Sequence, residues 1–382
     1  MSEAPKISLC MIVKNEEECL HKCLDSVKDL VDEMIIVDTG STDKTVEIGK
    51  SFGAVVHSYE WQDNFAEARN FGLEKATGDW ILWMDADEEM NQEDSKKLKE
   101  LLRGQEDSLF YIHLINYIGD EKNEDDAFHI AHSRLFRNGI GFRFHFPIHE
   151  TLNVEEVLPN LTEDLHIQIL PVRIYHYGYM NEFTGRKNKF ERNIGLLMKE
   201  LEKEDHSPWI EYHLASEFSR IQEHEKTFKF VNLSIIGFLE NHMMPPSLLY
   251  KLKYSTLISV GSAEGAWPGI EKAIEMYPDY VDLHLYKGII QYLKKDYKRA
   301  LMTFDHCLEL GESNIRHLTL KGSGSFHAWY YKGICYEGLG QVEEAVAAYQ
   351  TALAMAENHA PAKEALEKLS STTEVSHTPN NK

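Results

Sequence analysis

Cysteines are few in this 382-residue sequence, and long apolar runs are missing. The five cysteines are odd in number and lie in strand-like or helix-like patterns, so they give no support to a disulfide framework. Cys19 and Cys23 are expected in a helix core, because no second pair of Cys or His with zinc spacing follows them. No segment approaches the roughly 18 apolar residues that span a membrane, and the N-terminus has no basic region followed by an apolar stretch. These shortages predict a cytoplasmic protein without a membrane span.

Basic charge is also scarce. The sequence has 40 Lys and Arg residues against 62 Asp and Glu residues, a formal net charge of −22 at pH 7. This balance argues against a surface for nucleic acid or anionic lipid, while leaving room for a local basic pocket that binds one diphosphate. The apolar fraction of 43% and the charged fraction of 27% are typical of folded globular proteins. At about 150 residues a domain, the length predicts two or three domains.

Strand and helix patterns alternate in the N-terminal part of the chain. The apolar runs ISLCMIV, MIIVD, AVVHSY and WILWMD are typical of buried strands, and helical patterns separate them. Asn15 with Glu18, and Asn64 with Glu67, have capping-box spacing, which predicts helices that begin at Asn15 and Asn64. Such alternation requires crossover connections and favours a Rossmann-like α/β domain with a mostly parallel sheet.

Polar groups follow the ends of three of these strands. They are Lys14-Asn15-Glu16, Asp38 and Asp85-Ala86-Asp87. Ligands of open parallel sheets bind outside the carboxyl ends of the strands, so the three segments are predicted to line one crevice.

Asp85 and Asp87 offer hard oxygen ligands, which suit Mg²⁺ or Mn²⁺, and such an ion would bridge a diphosphate. A surface turn is the alternative for an isolated D-x-D. The buried strand in front of it favours the metal, because buried strands rarely end on two free carboxylates.

Two further features stand out in the remaining sequence. Short aromatic runs between about Ser95 and Tyr179 are interrupted by an acidic loop at Asp120 to Asp126, and we interpret this region as the second half of the same domain. From about Asn181 the pattern is helical, and HAWYYKGICYEGLGQVEEAVAAYQTALA matches a tetratricopeptide unit. An earlier unit has Gly288 where the last has Gly333. The distance between them is about 11 residues longer than the usual repeat, and the extra residues are placed around Asn314 to Ser325.

These patterns predict a division of the chain. Residues 1–180 form the α/β domain, residues 181–205 a helical connection, residues 206–369 an all-α domain of tetratricopeptide-like repeats, and residues 370–382 a polar, disordered tail.

The strand-end motifs resemble those of the family 2 glycosyltransferases, whose GT-A domain binds a nucleotide sugar. MIVKNEE, IIVDTGSTDKT, FAEARNFGLEKATGDW and LWMDADEEM are similar to the successive motifs of that family over roughly residues 6–95. The resemblance implies that Val13 and Glu16 hold the nucleotide base, that Asp38 contacts the base or ribose, and that Arg69 lies near the nucleotide. It gives Asp85 and Asp87 to the metal and diphosphate. For Arg69 the alternative is a surface ion pair with Glu16 or Glu67.

The resemblance also implies candidates for the remaining chemistry. A transfer to an acceptor hydroxyl or thiol needs a base, and Glu150 in PIHETL resembles the base-bearing position; His149 is the alternative base, and either is alternatively a buried hydrogen-bonding residue. His176 in IYHYGY matches a C-terminal metal ligand of several GT-A enzymes, although a lone His is also typical of a core. Possible diphosphate contacts are Arg134, Arg137, Lys187, Lys189 and Arg192.

The whole layout resembles the bacterial peptide S-glycosyltransferases. It implies a metal-dependent, inverting transferase that takes a hexose from a nucleotide diphosphate sugar, UDP-linked, and gives it to a peptide or protein bound by the repeats. Exposed repeats are compatible with a homodimer. The alternative is an interaction or scaffold protein with a catalytically silent GT-A domain. NAD binding is disfavoured, because Lys14-Asn15-Glu16 stands where a Gly-rich turn is needed.

Overall fold

The computed structural model describes residues 4–159, 167–180, 189–312 and 314–375. The chain divides into two compact units. The first contains Met1–Lys122 and His129–Lys199, and the second contains Asn123–Phe128 and Glu200–Lys382. The short segment Asn123–Phe128 therefore belongs to the second unit, although both of its neighbours in the chain belong to the first.

The first unit is built on one large sheet. Its strands and those of a small hairpin are β1 (Ile7–Val13), β2 (Glu33–Asp38), β3 (Val55–Ser58), β4 (Trp80–Trp83), β5 (Glu88–Met90), β6 (Leu109–Gly119), β7 (Phe128–Arg137), β8 (Phe144–His145), β9 (Thr151–Leu152) and β10 (Ile169–Met180). The large sheet has the order β3-β2-β1-β4-β7-β6-β10-β5, and β8 pairs with β9 in a separate hairpin. The order reverses beside β1, which places a crevice at the carboxyl ends of β1 and β4.

The four predicted N-terminal strands are confirmed and run parallel to one another. The residues of β1, β2 and β4 are almost all buried, because helices cover such strands on both faces, whereas β3 at the edge of the sheet is partly exposed. Beyond them, β7 joins β4 antiparallel, β10 lies parallel to β6, and β5 joins β10 antiparallel. The predicted mostly parallel α/β domain is thus confirmed, with antiparallel additions in its second half.

The helices of the first unit are α1 (Leu20–Val27), α2 (Thr45–Ser51), α3 (Phe65–Leu73), α4 (Gln92–Leu101), α5 (Val154–Val157) and α6 (Lys189–Leu201). The start of α3 is confirmed, since Asn64 accepts a hydrogen bond from the Glu67 amide. The predicted start at Asn15 is wrong. Asn15 has a φ of 55°, and its side-chain oxygen accepts a hydrogen bond from the Thr42 amide at 2.8 Å, so it joins two turns instead of capping α1. Cys19 and Cys23 are buried along α1, as predicted.

The second unit is helical apart from a short strand, β11 (Thr319–Leu320). Its helices are α7 (Trp209–Arg220), α8 (His224–Glu240), α9 (Ser247–Ser259), α10 (Ala263–Ala266), α11 (Gly269–Met276), α12 (Val281–Leu293), α13 (Tyr297–Leu310), α14 (Phe326–Gly338), α15 (Val342–Met355) and α16 (Ala360–Val375). The pairs α12/α13 and α14/α15 are the two repeats predicted around Gly288 and Gly333. A side chain at either glycine would overlap the ring of Phe304 or Tyr349 in the following helix, so each glycine permits close packing of its pair. The all-α repeat prediction is confirmed.

A buried ion pair lies between the helices of the second unit. The side chains of Lys251 on α9 and Asp282 on α12 are 8% and 1% exposed. Asp282 also accepts hydrogen bonds from the Thr319 hydroxyl at 2.8 Å and from the Leu320 amide at 3.0 Å. We call these four residues the repeat cluster. Its carboxylate is bonded at both oxygens, as a buried charge requires.

The C-terminal helix α16 runs to Val375, past residue 370 where the disordered tail was predicted to begin. Within this helix, Ser370 and Ser371 donate hydrogen bonds to the carbonyls of Leu366 and Lys368. The rest of that predicted tail lies outside the described residues. None of the helices described is long and apolar enough to cross a membrane.

Candidate active site

The Asp85-Ala86-Asp87 turn connects β4 to β5. The main chain of this turn is anchored to β10, because the Tyr177 amide donates a hydrogen bond to the Asp87 carbonyl at 3.0 Å. In the register of the sheet, His176 on β10 lies opposite Glu88 on β5 and opposite Asn116 on β6. The sheet therefore places His176 beside the turn that carries the two aspartates.

Asp87 and His176 face each other. His176 Nε2 lies 3.7 Å from Asp87 Oδ1, and the side chains are 14% and 17% exposed. His176 Nδ1 is 2.8 Å from Asn116 Oδ1, a contact that orients the ring. Burial lowers the pKa of His176, while the Asp87 and Asp85 carboxylates oppose that shift. A Cβ at Gly178 would lie 2.6 Å from His176 Nε2 and would overlap Asp87, so this glycine keeps the space beside the pair open.

Arg69 joins Asp85 to Glu150. It lies on the buried side of α3 and is 8% exposed; its Nη2 is 2.7 Å from Asp85 Oδ1, and its Nε donates a hydrogen bond to Glu150. The guanidinium also lies over the Trp83 ring, 4.5 Å from the centroid. The alternative of a surface pair with Glu16 or Glu67 is therefore wrong, because Arg69 points inward from its helix.

A second buried arginine lies on the other side of Asp85. Arg134 on β7 pairs with Glu88, which is 0% exposed, and its Nη2 is 3.7 Å from Asp85 Oδ2. Burial by itself raises the pKa of Asp85, but Arg69 and Arg134 hold it well below its usual value. Burial raises the pKa of Glu88, and the charge on Arg134 opposes that rise. We call Arg69, Asp85, Glu88, Arg134 and Glu150 the transfer cluster.

Three N–H-bearing nitrogens of the transfer cluster have no hydrogen-bond partner among the described residues. They are Arg69 Nη1, Arg134 Nε and Arg134 Nη1, and all three are buried. The Arg134 guanidinium stacks on Trp83, with 3.7 Å from Cζ to the ring centroid, which compensates part of the missing contact. Buried polar groups without partners are rare in folded proteins, and donors of this kind suit an anionic ligand.

The segment that carries Glu150 is fixed to α3. The amide of Phe144 donates to Asn70 Oδ1 at 2.8 Å, Asn70 Nδ2 donates to the Phe144 carbonyl at 2.9 Å, and the Phe65 amide donates to the Pro147 carbonyl at 2.8 Å. Because Arg69 and Asn70 are neighbours on the same helix, these bonds bring Glu150 to Arg69.

The backbone around the two candidate bases is strained. Phe146 has a φ of 72° and His149 has a φ of 52°, values that non-glycine residues seldom adopt. Such strain persists where surrounding contacts impose it, and it is concentrated at functional sites. The Glu150 side chain is 10% exposed and bonded to Arg69.

The residues expected to hold the nucleotide lie at the ends of β1 and β2. Val13 and Asp38 are partners in the register of these strands. The Asp38 carboxylate accepts hydrogen bonds from the amides of Gly40 and Ser41, at 3.3 and 3.1 Å, so it shapes the turn after β2. The Glu16 amide donates to the Thr45 hydroxyl at 2.7 Å, which ties the turn after β1 to α2.

The side chains present offer a position for a divalent metal ion. Across the described parts of the chain, no group of three or more His, Cys, Asp or Glu side chains is arranged to hold a metal ion. Asp87 and His176 supply an oxygen and a nitrogen ligand, and Gly178 keeps space beside them. Asp85 faces two guanidiniums instead. The residues present fit an ion at the Asp87–His176 pair more readily than at Asp85.

The structure separates the other cations that the sequence offered for a diphosphate. Arg137 donates its hydrogen bonds to the carbonyls of Gln105 and Asp107, away from the Asp85-Ala86-Asp87 turn. Lys189 Nζ lies 3.7 Å from Asp87 Oδ2, so it is near the candidate metal position. Arg192 lies over the ring of Phe65, and Lys187 lies outside the described residues.

Sequence reasoning missed Glu88 and Asn116. Both are buried polar residues of the sheet, and each bonds to a residue that the sequence had singled out. Glu88 could have been noticed because it is a charged residue directly after Asp85-Ala86-Asp87. Asn116 could have been noticed because it is a polar residue in an otherwise apolar and aromatic run.

Comparisons with family models agree with these motifs. Residues 8–150 match glycosyl transferase family 2, and residues 327–359 match the tetratricopeptide repeat. The first unit therefore contains a region that matches the family 2 glycosyltransferases, and the second contains a region that matches the tetratricopeptide repeat. The predicted resemblance to this family and its combination with helical repeats are confirmed.

Two relatives match parts of the chain. A TPR repeat-containing protein of Synechococcus elongatus is 39% identical over 191 residues, which cover 49% of this chain and 46% of that protein. The SPbeta prophage-derived glycosyltransferase SunS of Bacillus subtilis is 32% identical over 242 residues, which cover 61% of this chain and 54% of SunS. The chain thus spans about half the length of these curated relatives.

Solved structures with some likeness include a glucosyl-3-phosphoglycerate synthase from Mycobacterium tuberculosis in complex with Mn²⁺, uridine diphosphate and phosphoglyceric acid. It is 28% identical, with coverage of 29% of this chain and 43% of that chain and a TM-score of 0.26. Residues 1–349 of TarS from S. aureus are 17% identical, with coverage of 66% and 84% and a TM-score of 0.36. Neither TM-score supports a conclusion about this chain.

Proposed function

We propose that this chain is a cytoplasmic, metal-dependent glycosyltransferase that moves a hexose from a UDP-linked donor to a hydroxyl or thiol of a peptide or protein, with inversion. The observation that carries the proposal is Arg69, which connects Asp85 of the metal motif to Glu150, the candidate base, inside one buried cluster. A silent scaffold domain would have no need to keep these charges buried, because burying charge is costly.

Glu150 is proposed as the base. The acceptor oxygen or sulfur attacks the anomeric carbon, its proton passes to the Glu150 carboxylate, and the bond to the nucleotide diphosphate breaks as the nucleotide leaves. Arg69 holds the carboxylate by a charge-assisted hydrogen bond. That bond holds Glu150 in position before the acceptor arrives.

Asp87 and His176 would hold the divalent ion. When bound, the ion supplies positive charge to the leaving diphosphate. Asn116 orients His176, and Gly178 leaves room at the pair. Asp85 is proposed to act through its arginines, as the anion that fixes Arg69 and Arg134 in place.

The donor is proposed to lie along the carboxyl ends of β1, β2 and β4. Val13, Glu16 and Asp38 would contact the nucleoside. The unpartnered nitrogens of Arg69 and Arg134 would donate to phosphate oxygens, since guanidinium groups match phosphate well. A peptide or protein acceptor is supported by the repeats of the second unit.

Nucleotide release tests this proposal. The full chain is incubated with a panel of nucleotide sugars and Mn²⁺ or Mg²⁺, beside Asp87→Ala and the matched control Asp29→Ala, which removes an exposed carboxylate from the same unit. We expect metal-dependent release of UDP from one UDP-hexose, its loss in Asp87→Ala, and no change in the control. No release with any donor, together with no metal-dependent binding of UDP, would refute the function.

A further inference from the structure

Two features of the sequence play no part in the transferase proposal. They are the acidic loop between β6 and β7 and the residues inserted between the two repeats, and in the structure these two segments are in contact. We call Asn123–Phe128 the docking segment, since it belongs to the second unit by its contacts. Its main chain joins the insertion directly, because the Lys321 amide donates a hydrogen bond to the Ala127 carbonyl at 3.1 Å.

The docking segment is preformed as a single turn of 3₁₀ helix, Glu124–Asp126. Asn123 caps the turn by accepting a hydrogen bond from the Asp125 amide at 3.0 Å, and its Nδ2 donates to Asp126 at 2.6 Å. The turn therefore holds three carboxylates in a fixed arrangement, with the Phe128 ring directly after it.

Cations of the second unit receive the docking segment. Lys321 Nζ lies 3.1 Å from Asp125 and 3.8 Å from Glu124. Lys251 Nζ lies 4.7 Å from the centroid of the Phe128 ring, while its ammonium remains paired with Asp282. Lys321, which is half-exposed, and Lys251, which is buried, thus match an acidic turn followed by an aromatic ring. They do so in a chain whose net charge is −22.

The receiving lysines lie next to equivalent positions of two successive repeats. Asp282 and His327 each stand six residues before the glycine of their repeat, Gly288 and Gly333, so they occupy equivalent positions. The His327 amide donates a hydrogen bond to the Gly322 carbonyl at 3.0 Å, so His327 lies beside the turn that carries Lys321. We call Lys251, Lys321 and His327, with the surrounding surface, the repeat face. Repeat proteins use such extended faces to bind peptides.

We propose that the repeat face is a binding site for an acidic peptide with an aromatic residue three positions after an aspartate, and that the docking segment occupies it as an internal competitor. A peptide that displaces the segment must reproduce its contacts with Lys321 and with Lys251. The inference goes beyond sugar transfer and is tested by binding alone, so its failure would leave the transferase proposal intact.

The probe is a labelled synthetic peptide with the sequence EKNEDDAFHI, which copies the segment and its flanks. Binding is measured by fluorescence anisotropy to the full chain and to Asp125→Asn/Phe128→Ala, in which the segment loses its own contacts. A tethered segment competes at an effective concentration of about millimolar, so we expect the variant to bind the peptide about tenfold more tightly. Glu121→Gln, an exposed residue outside the segment, is the matched control and should bind as the parent does.

Two further measurements keep the result decisive. Adding Lys321→Glu to the released variant should abolish peptide binding, and a peptide with Asn for its first Asp, the equivalent of Asp125, and Ala for Phe should not bind. If the double variant does not fold, Asp125→Asn alone replaces it, with an expected gain of about threefold because one contact is weakened. Equal affinity for parent and released variant, or equal binding of the altered peptide, would overturn the proposal.

Discussion

Both units bury charge, but they treat it differently. The transfer cluster contains two arginines and three carboxylates, and three buried arginine nitrogens in it have no hydrogen-bond partner among the described residues. The repeat cluster contains one lysine and one aspartate, and Asp282 is bonded by Lys251, Thr319 and Leu320. We therefore call the transfer cluster open, since it has unused hydrogen-bond donors, and the repeat cluster closed, since its charges are paired within it.

This difference separates a reactive site from a structural contact. A closed buried pair contributes to the specificity and stability of one packed arrangement, and its loss leaves a charge without compensation. An open cluster keeps donors in a low-dielectric surrounding, where an anionic ligand gains strong interactions. Changes in the transfer cluster should therefore affect turnover, and changes in the repeat cluster should affect stability.

The largest effect is expected at Glu150. Glu150→Gln removes the proton acceptor while keeping the shape of the side chain, so kcat should fall by about 10²–10⁴-fold. Urea unfolding of the first unit should change little, because Asp85 still pairs with Arg69. Steady-state transfer to the peptide acceptor measures the effect. If His149→Ala abolished turnover while Glu150→Gln retained it, the base would be His149.

The next effect tests the closed cluster. Lys251→Met leaves the Asp282 carboxylate buried without its cation, which should lower the free energy of unfolding of the second unit by about 3–5 kcal/mol. Urea denaturation followed by circular dichroism measures the loss. Lys226→Met, at a lysine that is 53% exposed and lies 3.8 Å from Glu223, is the control and should change stability by less than about 1 kcal/mol. A loss that small in Lys251→Met would contradict a structural role.

Acid should destabilise the second unit through His327. Burial lowers the pKa of His327 to about 4 in the folded chain, against an ordinary value of 6.5. Below pH 6.5 the unfolded chain takes up the proton first, so stability falls as the pH drops from about 6.5 to 4, by at most about 3 kcal/mol. His327→Gln should flatten this part of the curve of unfolding free energy against pH. An unchanged slope in that variant would rule out the buried neutral His.

The smallest effect is expected for Arg69→Lys. The substitution keeps the charge but loses the planar fork that bonds Asp85 and Glu150 together and the Nη1 donor proposed for the phosphate, so kcat should fall by about tenfold and the KM for the donor should rise. Arg143→Lys, at an exposed pair with Glu74, is the matched control. A rise in KM without a change in kcat would show that Arg69 binds donor instead of positioning the base.

The sequence predicted the parts of the fold that local patterns determine. Three of the four apolar runs form strands whose residues are almost all buried, and Asn64 caps a helix through a bond to a residue three positions away. Asn15 has the same local spacing but bonds to Thr42 across two turns. Capping-box spacing cannot reveal such a partner, since the competing contact comes from a different strand–helix connection.

The candidate site shows the same limit. Its members Asp85, Asp87, Glu150 and His176 were named from motifs, and their roles remain predictions. The pairing of Arg69 with Glu150, 81 residues away in the chain, follows from bonds between α3 and the segment around Phe144. Charge and spacing did not distinguish that pair from a surface pair with Glu16 or Glu67, because both choices are available to an arginine on an amphipathic helix.

The division of the chain around Asn123–Phe128 has a consequence for synthesis on the ribosome. The chain passes from the first unit to the second at residue 123, returns at 129, and leaves again at 200. At about 5–20 residues per second, Lys321 is made roughly 10–40 s after Phe128. During that interval the docking segment has been translated, but Lys321, which it contacts, has not yet been made. The second unit therefore cannot complete its contacts with the docking segment until Lys321 has been translated.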